Sequence, residues 1–133
     1  MTDAAMKQLL QSTRTIAVVG LSDKPDRPSH HVSAYMQAHG YRIIPVNPAI
    51  TTVLGQRSYP TLLDIPEPVD MVDVFRQSDA VPAIVQDAIA IGAKSLWLQE
   101  GVVHEAAAAQ AAEAGLAVVM DRCMLKEHAR LLG

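Results

Sequence analysis

The feature that most constrains the fold is a regular alternation of short, β-branched apolar runs with amphipathic helical patterns. Apolar runs without polar alternation are typical of strands buried on both faces, as in parallel sheets. Crossover helices connect such strands. The sequence therefore predicts an α/β fold: a doubly wound, mostly parallel sheet with helices on both faces. The predicted strands are residues 15–19, 41–46, 70–75, 95–98 and 116–120.

Helical patterns follow four of these strands. The pattern after residue 28 predicts a ten-residue helix with Ser29 as its N-cap and Gly40 as its stop signal. Further helices are predicted at 81–91, at 102–114 and at 124–132. Residues 49–68 are the least regular part, where we expect a short strand or helix at one edge of the sheet. Since we find no linker and no internal repeat, we predict a single domain over residues 1–133.

Composition excludes several classes of protein. Half of the 133 residues are apolar and 19% are charged, which is typical of a folded chain. The net charge of −3 gives no basic face for nucleic acid. No apolar run approaches the roughly 18–20 residues of a membrane span, and the N-terminus lacks the apolar core of a secretory signal. We therefore expect a cytoplasmic protein. One cysteine and scattered histidines give no pattern for a disulfide or a metal.

Polar residues follow every predicted strand. In an open α/β sheet, ligands bind beyond the carboxyl ends of the strands, near the point where the strand order reverses. We therefore expect a ligand site at this edge of the sheet. The residues in question are Gly20, Ser22 and Lys24, then Asn47 and Pro48, then Phe75 and Arg76, then Gln99 and Gly101, and finally Arg122 and Cys123.

The loop after the first strand is the most informative of these segments. It carries Lys24 and Arg27 and leads into a helix near Ser29. A helix N-terminus presents unpaired amides and a positive dipole end, which favour a phosphate or pyrophosphate. The loop has a single glycine, so neither the dinucleotide-binding fingerprint nor a P-loop is present. The same residues fit an ordinary tight turn with solvated cations equally well.

The end of the second predicted strand discriminates between cofactors. NAD-binding sheets carry an Asp or Glu there to hold the ribose hydroxyls. This chain has Asn47 and Pro48 instead. A neutral side chain tolerates a phosphorylated ribose, so NAD is disfavoured, and NADP or coenzyme A (CoA) is favoured.

Five sequence blocks resemble the small stand-alone CoA-binding domain proteins. These proteins are themselves similar to the CoA-binding domain of the succinyl-CoA synthetase alpha subunit and of ADP-forming acyl-CoA synthetases. The most specific motifs are V-N-P, W-L-Q-x-G and D-R-C. The resemblance implies a Rossmann-like fold. The blocks are residues 18–32, 40–48, 69–76, 88–102 and 114–124.

The resemblance also implies roles for individual residues along a bound CoA. Residues implied to receive its phosphates are Gly20, Ser22, Lys24, Arg27 and Ser29. Residues implied to flank the adenosine are Asn47 and Pro48, and those implied to line the middle of the groove are Val74, Phe75 and Arg76. Residues implied to face the pantetheine are Gln99, Gly101, Arg122 and Cys123.

Two further side chains carry expectations of their own. Cys123 is interpreted as a free buried cysteine, with a mixed disulfide to the CoA thiol as the alternative. Asp73 lies inside an apolar strand, so it must pair with a cation or a backbone amide or carry a shifted pKa. We expect an ion pair with Arg76 or Arg122.

The leading functional hypothesis is a module that binds CoA or an acyl-CoA and has no catalytic residues of its own. An NADP-dependent oxidoreductase or NADP-binding module is the first alternative. The second is an interaction domain that docks onto an acyl-CoA enzyme and senses its ligand.

Overall fold

Helices and strands alternate along most of the chain in the computed structural model, which describes residues 1–133. The elements are α1 (Asp3–Ser12), β1 (Thr15–Val19), α2 (Pro28–Ala38), β2 (Arg42–Val46), β3 (Thr52–Val53), β4 (Gln56–Arg57), β5 (Met71–Val74), α3 (Val81–Ala90), β6 (Ser95–Leu98), α4 (Glu105–Glu113), β7 (Ala117–Val119) and α5 (Met124–Leu132). No helix has the length and apolar character needed to cross a bilayer.

The main sheet has five parallel strands in the order β2-β1-β5-β6-β7. The chain moves outward from β1 to β2 and then returns to the other side of β1, so the strand order reverses between β1 and β5. Such a reversal sends the connecting helices to opposite faces of the sheet. The predicted doubly wound, Rossmann-like α/β fold is confirmed.

Each face of the sheet has its own hydrophobic core. One core packs β-strand side chains such as Ala17 and Leu96 against α3 and α4. The other packs Ile16 and Trp97 against α1, α2 and α5. Strand neighbours therefore alternate between two buried layers, which explains why the strands read as continuous apolar runs.

The start of α2 differs from the prediction. Pro28 occupies the first turn and Arg27 is the N-cap, so Ser29 is not the cap. Proline is favoured at the first helical position because its missing N–H would have no partner there. This leaves the Ser29 hydroxyl free to bond elsewhere.

The remaining differences concern element ends and short elements. Two strands have the predicted bounds, and the others are shorter at their ends by one residue. α4 begins later than predicted, at Glu105, because His104 caps it by accepting the Ala107 amide at 3.1 Å. Residues 49–68 form the β3–β4 hairpin and a 3₁₀ turn, and Tyr59 bridges to β2. The helix α1 was not predicted.

Candidate functional site

A cleft of about 600 Å³ opens at the carboxyl edge of the sheet, at the switch point between β1 and β5. Its volume lies within the range of roughly 300–1,000 Å³ that is usual for small-molecule sites. Eight residues predicted from the sequence line it: Gly20, Ser22, Lys24, Arg27, Ser29, Phe75, Gln99 and Cys123. Four others that were not predicted as site residues also line it: Pro28, Val32, Glu100 and Val102.

Gly20 allows the turn after β1 to lie directly against the end of β5. Its φ is +90°, and a Cβ atom there would lie 2.5 Å from the Phe75 carbonyl oxygen. Both the backbone conformation and the close approach require glycine. The Gly20 amide donates to the Val46 carbonyl at 2.9 Å, so this residue shapes the cleft without offering a free donor.

Three amides of the following loop are bonded within the protein itself. Ser22 N donates to Ser29 Oγ at 3.0 Å, and Lys24 N donates to Ser22 Oγ at 3.1 Å. Arg27 N donates to the Lys24 carbonyl at 3.0 Å. The expectation of unpaired amides is wrong for these residues. The amides without a protein acceptor are those of Ser29 and His30, in the first turn of α2, and those of Leu21, Asp23 and Asp26 in the loop.

Two cations stand at the same end of the cleft. Lys24 and Arg27 are exposed and form no ion pair with any carboxylate of the chain. Glu100 is the single carboxylate residue of the lining, and Lys126 of α5 pairs with it at 3.1 Å. The two aspartates of the same loop are exposed and lie outside the lining, so the charge without an ion pair in the lining itself is positive, which favours an anion.

Asn47 and Pro48, the predicted site residues at the end of β2, lie outside the cleft. Asn47 Nδ2 donates to the Leu21 carbonyl at 3.1 Å, and Asn47 Oδ1 accepts from the Ala49 amide at 3.0 Å. Both polar atoms of this side chain are therefore engaged within the protein. Pro48 is exposed and is not part of the lining. The structure does not bring either residue into the cleft.

The three residues predicted to line the middle of the groove lie in three different environments. Phe75 is half-buried and lines the cleft. Arg76 is exposed, and its Cδ atom lies beside Gly20 at the rim. Val74 is fully buried in the core beneath α3, which leaves its side chain no surface for a ligand. The predicted lining role of the Val74 side chain is therefore wrong.

Asp73 forms a different bond from the expected ion pair. Its Oδ1 accepts from Gln99 Nε2 at 2.6 Å, and neither Arg76 nor Arg122 forms a salt bridge with it. Burial raises the pKa of the Asp73 carboxyl to about 7, although the Gln99 hydrogen bond opposes this shift. A cation was expected because a buried carboxylate needs compensation, but a neutral carboxyl needs only hydrogen bonds.

Cys123 is the N-cap residue of α5 and faces the cleft. It is half-buried rather than fully buried as expected, and its thiol has no hydrogen-bonding partner in the chain. Its neighbour Arg122 pairs with Glu127 at 3.5 Å and is outside the lining. Gly101 is also outside, and its amide donates to Asp121 Oδ1 at 2.7 Å. Arg122 and Gly101 therefore support the β6–β7 end of the cleft.

Fold and cleft together define the class: a doubly wound α/β domain with its ligand cleft at the topological switch point. The lining of that cleft combines cations and free amides with a thiol. The sequence pattern of the CoA binding domain family matches residues 14–129. The chain belongs to this family, which confirms the resemblance noted from its motifs.

Known proteins similar to this chain include one of nearly the same length. The uncharacterized protein YneT of Bacillus subtilis is 45% identical over 126 residues, which are 95% of this chain and 93% of YneT. The solved structure of a hypothetical protein from Pyrococcus horikoshii OT3 is 42% identical. The superposition covers 100% of this chain and 94% of the Pyrococcus protein, with a TM-score of 0.97.

A much longer relative is the ADP-forming acetate–CoA ligase II of Archaeoglobus fulgidus. It is 30% identical over 83 residues, which are 61% of this chain and 12% of the ligase. The chain is thus related to a part of an acyl-CoA synthetase.

Proposed function

We propose that this protein binds CoA or an acyl-CoA in the switch-point cleft, with the phosphates at the N-terminus of α2 and the thiol end toward Cys123. The observation that carries the proposal is the set of groups around the cleft. Two cations without an ion pair, free amides in the first turn of α2 and a thiol without a partner surround one cavity. CoA carries groups that match them, since it has phosphates at one end and a thiol at the other.

The proposed phosphate end has four donor groups, two backbone amides and two cationic side chains. The amides of Ser29 and His30 point out of the first turn of an 11-residue helix, whose dipole adds to their attraction for an anion. Lys24 and Arg27 add two full charges on the adjoining loop. A pyrophosphate and a ribose phosphate together present enough acceptors to use all of these groups.

The middle of the cleft suits a long, partly apolar arm. Val32, Phe75 and Val102 provide apolar surface in the same lining as the cations and Gln99. Pantetheine is a flexible chain of methylene groups and amides, so it can lie on such a surface. Its thiol would then lie near Cys123.

We propose a binding role without catalysis. No histidine or carboxylate is hydrogen-bonded to Cys123, so the thiol lacks the adjacent base that a nucleophilic mechanism needs. Location in the cytoplasm and a protein partner that metabolises acyl-CoA both stay predictions.

Isothermal titration calorimetry with CoA, dephospho-CoA, NADP and NAD tests the proposal. We expect CoA to bind best and dephospho-CoA to bind more weakly. Arg27→Ala should lower the affinity for CoA about tenfold, because a charged hydrogen bond at a partly exposed site contributes about 1–1.5 kcal/mol to the binding free energy. The same variant should reduce the difference in affinity between CoA and dephospho-CoA. The control is Lys7→Ala on α1, an exposed lysine outside the cleft.

The other outcomes contradict the proposal in distinct ways. Stronger binding of NADP than of CoA would favour the NADP-binding alternative. If none of the four compounds binds, the interaction domain becomes the better hypothesis. Equal loss of affinity in Arg27→Ala and Lys7→Ala would show that only overall charge matters, and would remove the assigned phosphate site.

A further inference from the structure

A chain of buried hydrogen bonds connects the middle of the sheet to the helix that carries Cys123. Asp73 on β5 accepts from Gln99 Nε2 at 2.6 Å, and Gln99 Oε1 accepts from the Met124 amide at 3.3 Å. Asp73 is 1% exposed and Gln99 is 3% exposed. Asp73 is in register with Val18 and Trp97, which face the core beneath α5. The bonds therefore cross from the sheet to the first turn of α5.

We propose that Asp73 and Gln99 are positioning residues that hold the first turn of α5, and with it Cys123, as the thiol-end wall of the cleft. They thereby set the affinity for the pantetheine half of the ligand. This inference rests on the proposed function for its ligand, but the placement of Cys123 can be measured without any ligand.

Gln99 acts as the cap that the α5 sequence itself lacks. The N-cap residue Cys123 makes no side-chain hydrogen bond to the helix amides. The first amides of a helix have no partner within the helix and need one from elsewhere. Gln99 supplies an oxygen to the Met124 amide from a neighbouring strand. The position of α5 therefore depends on where the Gln99 side chain is held.

Only one orientation of the Gln99 amide satisfies both partners. The Met124 N–H can only donate, so it must face Oε1, and Nε2 then faces Asp73. Asp73 must therefore offer an oxygen acceptor. A carboxyl group does so whether or not it is protonated, and an asparagine side chain does so as well. A leucine does not, and it leaves Gln99 Nε2 buried without a partner.

The first experiment compares two ligands. Adenosine 3′,5′-bisphosphate shares the adenosine and ribose phosphate of CoA but lacks the pantetheine. We expect Gln99→Leu and Asp73→Leu to weaken CoA binding about tenfold, which is the order expected when one or two buried hydrogen bonds are lost. Binding of the bisphosphate should change less than about twofold. Asp73→Asn keeps the acceptor and should retain most of the CoA affinity.

The second experiment uses Cys123, the single cysteine of the chain, as a reporter in the ligand-free protein. Its rate of reaction with a maleimide depends on where the first turn of α5 lies. We expect a several-fold change of this rate in Gln99→Leu and Asp73→Leu, and a return toward the wild-type rate in Asp73→Asn. Gln110→Leu, an exposed glutamine of α4, is the matched control and should leave the rate unchanged.

The outcomes separate this inference from the proposed function. If wild-type protein does not bind CoA, the proposed function fails, and the Cys123 rates still decide the positioning role. Unchanged rates in both leucine variants would overturn the inference. An equal loss of affinity for CoA and for the bisphosphate would also overturn the inference, since such a loss would indicate general destabilisation. Should Gln99→Leu fail to fold, Gln99→Met removes the same bonds with a flexible side chain of similar length.

Discussion

The buried carboxyl of Asp73 makes the stability of this protein depend on pH in an unusual direction. Burial raises its pKa to about 7 in the folded protein, from an ordinary value of 3.8 in the unfolded chain. Between these values the folded protein holds a proton that the unfolded chain has lost. Stability contributed by this group is therefore complete below about pH 4 and is lost as the pH rises toward 7.

The size of the effect follows from the width of this window. Each pH unit within it changes the free energy of unfolding by up to about 1.4 kcal/mol, so a rise from about pH 5 to pH 8 removes roughly 2–3 kcal/mol. His128 acts in the opposite direction, because burial lowers its pKa and the unfolded chain binds the proton more readily. The comparison must therefore be made between wild-type protein and Asp73→Asn, in which the His128 contribution cancels.

The assay is urea unfolding at several pH values, followed by the fluorescence of Trp97. This residue is the single tryptophan, is fully buried, and lies in register beside Asp73. As the pH rises from about 5 to 8, the free energy of unfolding of Asp73→Asn should increase by roughly 2 kcal/mol relative to that of the wild-type protein. Parallel stability curves for the two proteins would refute the argument, since they would mean that Asp73 does not titrate in this range.

Two further substitutions test packing and surface charge. Gly20→Ala should destabilise the fold by roughly 2–4 kcal/mol, because it combines a positive φ with a clash against the Phe75 carbonyl. Gly40→Ala, at a similar φ with no neighbour within 4 Å, should cost less in the same unfolding assay. Arg130→Ala breaks the two bonds of 2.8 and 2.9 Å to Asp3 that join α5 to α1, and should lower the melting temperature. The drop should shrink in 1 M salt, where the Debye length is about 3 Å; an unchanged drop would contradict an electrostatic role.

The sequence predicts the sheet well because burial on both faces leaves a strong local signal. β1 and β6 have the predicted bounds, since mostly apolar residues fill both faces of their pleat. α1 gives a weaker signal, because only Met6 and Leu10 of its residues are buried. A helix that buries only two side chains fully has too few apolar positions to form a clear period.

The candidate site was predictable only in outline. The convergence of the strand ends follows from the parallel topology, so the neighbourhood of Gly20, Phe75 and Gln99 could be located from the sequence. The partner of Asp73 could not, because it depends on which side chain of the next strand faces the same layer and how far it reaches. A pairing rule based on charge favours arginine, whereas the structure uses the neutral amide of Gln99.

Partial occupation of the loop amides limits which groups can distinguish one ligand from another. In sheets with several glycines after the first strand, backbone amides approach the pyrophosphate directly. Here Ser22 N and Lys24 N are bonded to serine hydroxyls, whereas Leu21, Asp23 and the first turn of α2 keep amides without a protein acceptor. Backbone amides bind any phosphate alike, whereas the side chains of Lys24 and Arg27 extend from the exposed loop. In the proposed complex, preference for a 3′-phosphorylated nucleotide would then depend on these two cations more than on the turn, which makes Arg27→Ala the most informative single substitution at the phosphate end.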